Sequence, residues 1–163
     1  MTTDTQALIA RIEAQERTLV FPGFSNDDAW ALGSILVELA RERMLAVTVD
    51  ITRGEQQLFH AALPGTSAHN DAWITRKTRT VREFGISSLL AGQRAKLGGN
   101  SFEDAPWIDP LRYAGHGGSF PITVAGVGVV GTVTVSGLPQ LEDHALVMRI
   151  LREHLASART GRS

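Results

Sequence analysis

The stretch Tyr113–His144, YAGHGGSFPITVAGVGVVGTVTVSGLPQLEDH, decides the fold. Thr132, Val133, Thr134 and Val135 are all β-branched and alternate in polarity, a pattern that favours a strand. Phe120–Val124 is the matching run on the other side of a glycine-rich turn. Pro121–Ser136 therefore reads as a β-hairpin turning near Ala125–Gly128. The same turn spells GxGxxG at Gly126, Gly128 and Gly131. That pattern cradles a pyrophosphate only where a helix follows and offers its N-terminus to the phosphate. Here β-branched residues follow, so the glycines read as a hairpin turn.

The neighbouring segments extend the pattern. After the hairpin, Pro139 suits the first position of a helix, Glu142 and Asp143 fill its first turn, and Leu141, Ala145, Met148, Leu151 and Leu155 line one side. Earlier, Leu45–Ile51 and EQQLFHAALPG flank a turn at Arg53–Gly54 and form a first hairpin. Between the hairpins, Trp73, Lys77, Val81 and Phe84 recur on one face of a helix starting near Asn70. A second helix is capped at Ser87 and closed at Gly98–Gly99. Nearer the N-terminus, a helix spans about 4–16, Thr18–Phe21 is a brief strand, and Ser25 caps a helix whose stripe is Ala29, Leu32, Gly33, Leu36 and Ala40. The order α, β, α, hairpin, two helices, hairpin, α predicts an α+β fold: an antiparallel five-stranded sheet with helices packed on it. One domain over 1–163 is expected, with a flexible tail over 157–163.

Composition narrows the chemistry. The formal charge is −1, which leaves no electrostatic footprint for nucleic acid. Without cysteine there are no disulfides, thiolate metal sites or cysteine nucleophiles. The first residues lack the pattern of a secretory signal, and no run approaches the ~18 apolar residues of a membrane span. A cytoplasmic location is the expectation, with neither nucleic acid nor membrane as partner.

Several residues could carry function. GHGGSFP surrounds His116 with glycines, giving a backbone that can approach a ligand closely. His116 could ligate a metal or haem iron, shuttle a proton or donate a hydrogen bond; equally, it could be an incidental turn residue. Lys77 lies on the apolar stripe, either snorkelling to solvent or facing an anion or a carboxylate across a subunit boundary. Arg76 and Arg79 share an adjacent face and could pair with carboxylates, or simply be solvated. Phe102 and Trp107, in the long FEDAPWIDP loop, suit either an interface or a fold-back over the core. His60, His69, His144 and His154 show no metal spacing. Glu103, Asp104 and Asp109 read as a solvated acidic loop rather than a hard-cation site, and no protein metal site is expected.

Three stretches together, WITRKTRTVREFGISS, FEDAPWIDPLRYAGHGGSFPI and VVGTVTVSGLPQLEDH, resemble the haem-degrading-domain family, the HbpS-like/GlcG-like proteins. The likeness is nearest to a stand-alone cytosolic branch. Gly117, Gly118 and Pro121 match the family's GG-x-P entry, and Gly131, Ser136 and Gly137 its VG…VSG exit. The resemblance implies an α/β sandwich with profilin-like layers, a symmetric homo-oligomer, and haem as the cofactor to test. Its pocket would lie between GHGGSFP and the Trp73–Phe84 helix. His116, with Gly117 and Gly118 beside it, would be axial ligand or polar anchor. Lys77, Arg76 and Arg79 would hold acid groups, and Trp73 and Phe84 would be apolar walls. The ExxE iron-binding feature of the family's secreted branch is expected to be missing. The rival expectation is a non-catalytic oligomeric binding or assembly module using Phe102 and Trp107; a hydrolase or oxidoreductase with its own catalytic residues is the third.

Overall fold

A computed structural model describes residues 2–161. Its elements run α1 (Thr2–Thr18), β1 (Val20–Phe21), α2 (Asn26–Glu42), β2 (Thr48–Arg53), β3 (Gln56–Ala62), α3 (Ala68–Phe84), α4 (Ser88–Leu97), a 3-10 turn at Phe102–Asp104, β4 (Ser119–Val124), β5 (Gly128–Ser136) and α5 (Gln140–Thr160). The five strands form one sheet in the order β1-β4-β5-β2-β3. Both expected hairpins are present and pair with each other through β2 and β5.

The sheet is mixed, not purely antiparallel: β1 runs parallel to β4, with Val20 opposite Thr123 and Phe21 opposite Val124. The direction follows from the connections. Helix α2 returns the chain between β1 and β2, so those two strands point the same way. The antiparallel β2–β5 and β5–β4 ladders then make β4 parallel to β2, and hence to β1. Since β1 reaches only Thr123 and Val124, Pro121 has no neighbour on that side whose ladder its missing N–H could interrupt.

Alternation sorts the side chains of β2, β4 and β5 onto two faces. Val49, Ile51, Phe120, Ile122, Val133 and Val135 join Leu32 and Leu36 of α2 and Val147 and Ile150 of α5 in one apolar core. The opposite face carries Asp50, Thr52, Ser119, Thr132, Thr134 and Ser136, all buried as well. Helix α3 covers it, and α1 packs on α4 through Ile9, Ile12, Leu89 and Leu90.

The caps explain the helix limits. Ser25 and Asp28 form a reciprocal capping box for α2. Ser67 and Asn70 do the same for α3, starting it earlier than the apolar stripe indicates. Helix α5 continues through Thr160, where a flexible tail from residue 157 was expected; the last two residues of that tail, 162 and 163, lie outside the described residues. Among the described residues no helix is long and apolar enough to cross a membrane.

Candidate functional site

The start of α3, the segment entering β4 and the start of α5 meet in a cleft of about 280 Å³. His69, Trp73, His116 and Gln140 line it, and Lys77 and Asp143 border it from below. His116 stacks edge-on to Trp73, ring centroids 5.1 Å apart. His116 Nδ1 lies 3.2 Å from Glu103 Oε1. Glu103 also accepts from the Gly115 N–H at 2.7 Å and the Ser101 hydroxyl at 2.8 Å. Burial alone would raise the Glu103 carboxyl, but these donors, with His116, outweigh it and hold it below the usual range. Nε2 of His116 has no hydrogen-bond partner among the described residues. The indole N–H is engaged as well: Trp73 Nε1 donates to His69 Nε2 at 3.1 Å.

Lys77 is only 4% exposed. Its Nζ donates to Asp143 Oδ2 at 3.1 Å and to the Val135 carbonyl at 3.2 Å. Asp143 accepts in addition from the backbone N–H of Leu138 at 2.9 Å and of Gly137 at 3.4 Å, so it ties α3 to the β5–α5 turn. Burial lowers the Lys77 ammonium and raises the Asp143 carboxyl from their ordinary values, each opposed by the partner's charge. Gly118 (φ +133°) passes directly over this pair: a Cβ there would collide with Val135 O and press on Lys77 Nζ. Gly117 donates its N–H to Gln140 Oε1 at 3.0 Å, bridging the GHGG segment to α5.

The residues expected from sequence are only partly brought together. His116, Trp73 and Lys77 line one cleft. Lys77 neither snorkels nor faces a second subunit, because its charge is matched inside its own chain. Arg76 lies over the Trp73 ring, 4.0 Å from its centroid, and reaches the Pro110 carbonyl at 3.4 Å. Arg79 donates to the Arg112 carbonyl at 2.9 Å. Both guanidiniums thus pin the loop before His116 instead of lining the cleft. Phe84 is also elsewhere. It lies eleven positions along the helix from Trp73, about 16 Å along the axis, too far for one small cleft to touch both. It packs edge-on against Phe102 at 5.8 Å. Those two rings, with Trp107 and Ile108, line a separate groove of about 370 Å³, where Trp107 is 78% exposed.

Sequence reasoning missed Asp143, Glu103 and His69. Asp143 had a signal: it shares a helical face with Val147 and Ile150, both core residues. Glu103 had none, since its partner lies across a loop. The ExxE spacing expected to be missing does occur, at Glu13–Glu16 on α1. Both carboxylates are engaged in packing, Glu13 with Arg94 at 2.9 Å and Glu16 with the Ser87 N–H at 2.7 Å.

Comparison with known proteins places the molecule. The family model described as haem degrading protein HbpS-like matches residues 24–152. A UPF0303 protein of Streptomyces coelicolor is 60% identical over 154 residues, covering 94% of this chain and 98% of that protein. A UPF0303 protein of Edwardsiella ictaluri is 43% identical, covering 93% and 96%. Among solved structures, the Ybr137w protein superposes with a TM-score of 0.81 at 30% identity, over 88% of this chain and 85% of that one. A complex of PduOC with heme shares the fold, with a TM-score of 0.66 at 15% identity over 80% and 94%. The capped helices, the paired hairpins and these matches agree: the chain belongs to the HbpS-like haem-degrading protein family.

Proposed function

We propose that this protein is a cytoplasmic homo-oligomer that binds a small molecule in the His116 cleft, with haem as the ligand and His116 as its axial partner. One observation carries the reading. His116 packs edge-on against Trp73 in the cleft wall, with Nδ1 backed by a carboxylate and Nε2 left open among the described residues. Imidazoles that hold a metal generally have their other ring nitrogen anchored in this way. The donor set therefore fits haem iron, and Trp73 offers an apolar, planar neighbour. The arginines give no such support for propionates, since Arg76 and Arg79 are committed to backbone carbonyls. At about 280 Å³ the cleft is at the small end of ligand sites, so a ligand of haem's size would project from one subunit and be covered by another. Titration of the purified protein with ferric haem is expected to give a saturable Soret shift that His116→Ala abolishes. An absent shift, or one that His116→Ala leaves unaltered, rejects the reading.

A second reading has its own observation: Trp107 and Phe102 border an apolar groove away from the cleft. There the protein is an assembly module without chemistry, and the groove is the subunit interface. Light scattering and a haem titration of Trp107→Ala separate the two: loss of the oligomer marks the groove as the interface and favours the assembly module, whereas an intact oligomer that loses ligand favours the pocket.

A further inference from the structure

Glu103 lies in the Phe102–Asp104 3-10 turn and does not line the cleft, yet it is the only side chain hydrogen-bonded to the imidazole of His116 among the described residues. Its approach is built in from both sides. Gly115 lies flat against the Phe102 side chain, where a Cβ would collide, and its own carbonyl occupies the space above Gly92 of α4. The backbone before His116 is thus clamped between the 3-10 turn and α4. Glu103 Oε1 receives the Gly115 N–H and faces His116 Nδ1, while Oε2 receives the Ser101 hydroxyl.

A carboxylate in that setting can only accept, so the hydrogen shared with His116 belongs to Nδ1. In the neutral ring the proton is then absent from Nε2, which carries a free electron pair. His69 supplies the contrast. Indole N–H is a donor only, so His69 Nε2 accepts from Trp73 and the His69 proton sits on Nδ1. Its acceptor nitrogen is already taken. The cleft therefore offers a single unengaged imidazole acceptor. We infer that Glu103 is a positioning residue that locks His116 in the Nδ1–H tautomer, so that the cleft selects ligands presenting an electron-pair acceptor, a metal centre above all. This inference rests on the cleft's being the binding site, and deepens that reading by naming what its histidine can take.

Imidazole nitrogen NMR of the ligand-free protein reads the tautomer directly. In the native chain His116 is expected to show a protonated Nδ1 and a bare Nε2. Glu103→Ala is expected to release the ring to the Nε2–H form that free imidazole side chains favour. Glu103→Gln, whose amide oxygen still accepts from Nδ1, is expected to retain the native pattern. Affinity for ferric haem is expected to fall about 10- to 100-fold in Glu103→Ala, with Glu103→Gln in between. A native His116 already in the Nε2–H form overturns the inference, and so does an unchanged tautomer in a folded Glu103→Ala. If haem fails to bind the native protein while the tautomer responds as expected, the haem reading falls and the role of Glu103 stands.

Discussion

The two faces of the sheet are made of the same strands and are buried alike, but by different means. Under α2 and α5 the alternate residues are Val49, Ile51, Val133 and Val135. Under α3 they are Asp50, Thr52, Thr132 and Thr134, with Lys77 reaching in from the helix. The apolar face is held by area removed from water, which is tolerant of direction. The other is held by specific pairs: Thr52 to Thr132 at 2.8 Å, Ser119 to Thr134 at 2.8 Å, Thr80 to the Ala114 carbonyl at 3.0 Å, and the Lys77–Asp143 ion pair. Such pairs fix geometry more than they add stability. The cleft lies at the end of this polar layer, where fixed geometry is what a site needs.

That contrast can be tested hardest at Lys77. Replacing it with Met leaves the Asp143 carboxylate buried without its cation, which is expected to cost about 3–5 kcal/mol. The double variant Lys77→Met with Asp143→Leu is expected to recover much of the loss in denaturant melts. If Lys77→Met costs no more than a surface change, the polar layer is not held by this pair.

His144 tests the seam between the layers. It reaches from α5 towards α1 and packs against Phe120, with Nε2 2.8 Å from Gln15 Oε1 and Nδ1 lacking a hydrogen bond. Burial, helped by Arg152 and Arg11, pushes its pKa down from 6.5 to about 4. The unfolded chain therefore binds the proton more readily than the native one. The stability due to neutral His144 is fully present above pH 6.5 and drains away as pH falls towards 4. The full loss is of order 3 kcal/mol, taking roughly 1.4 kcal/mol for each pH unit. Unfolding free energies of the native chain and His144→Gln, followed between pH 7.5 and 4.5, are expected to converge on acidification. Parallel curves would assign the acid loss to other groups.

The smallest effects come from exchanging the two faces on one strand. Val135→Thr puts a hydroxyl among apolar neighbours and is expected to cost about 1–3 kcal/mol. Thr134→Val removes the hydroxyl partner of Ser119 and Thr78 but keeps the shape of the side chain, and is expected to cost about 1 kcal/mol. Equal costs would mean that the two faces are not packed differently.

Much of this was readable in the chain. The Thr132–Val135 alternation gave the second hairpin, Ser25 and Ser87 were correctly read as caps, and the rejection of a nucleotide cradle at Gly126–Gly131 agrees with β5 beginning at Gly128. What covers the polar positions of that alternation was not legible locally: α3 closes over them with its own hydroxyls and a lysine. The stripe holding Trp73, Lys77 and Phe84 was a true helical face, but a face longer than the cleft it was assigned to.

Local pattern determined the elements, their order and the hairpins, because propensity, caps and turns act over a few residues. Tertiary structure alone decided the parallel edge at β1, the partnership of Lys77 with Asp143 across 66 positions, and the reach of Glu103 to His116. Hydrogen bonds between distant residues depend on where whole elements pack, and no spacing along the chain encodes that distance. His116 was conspicuous in the sequence; what holds its ring, and which nitrogen it leaves open, came only from the fold.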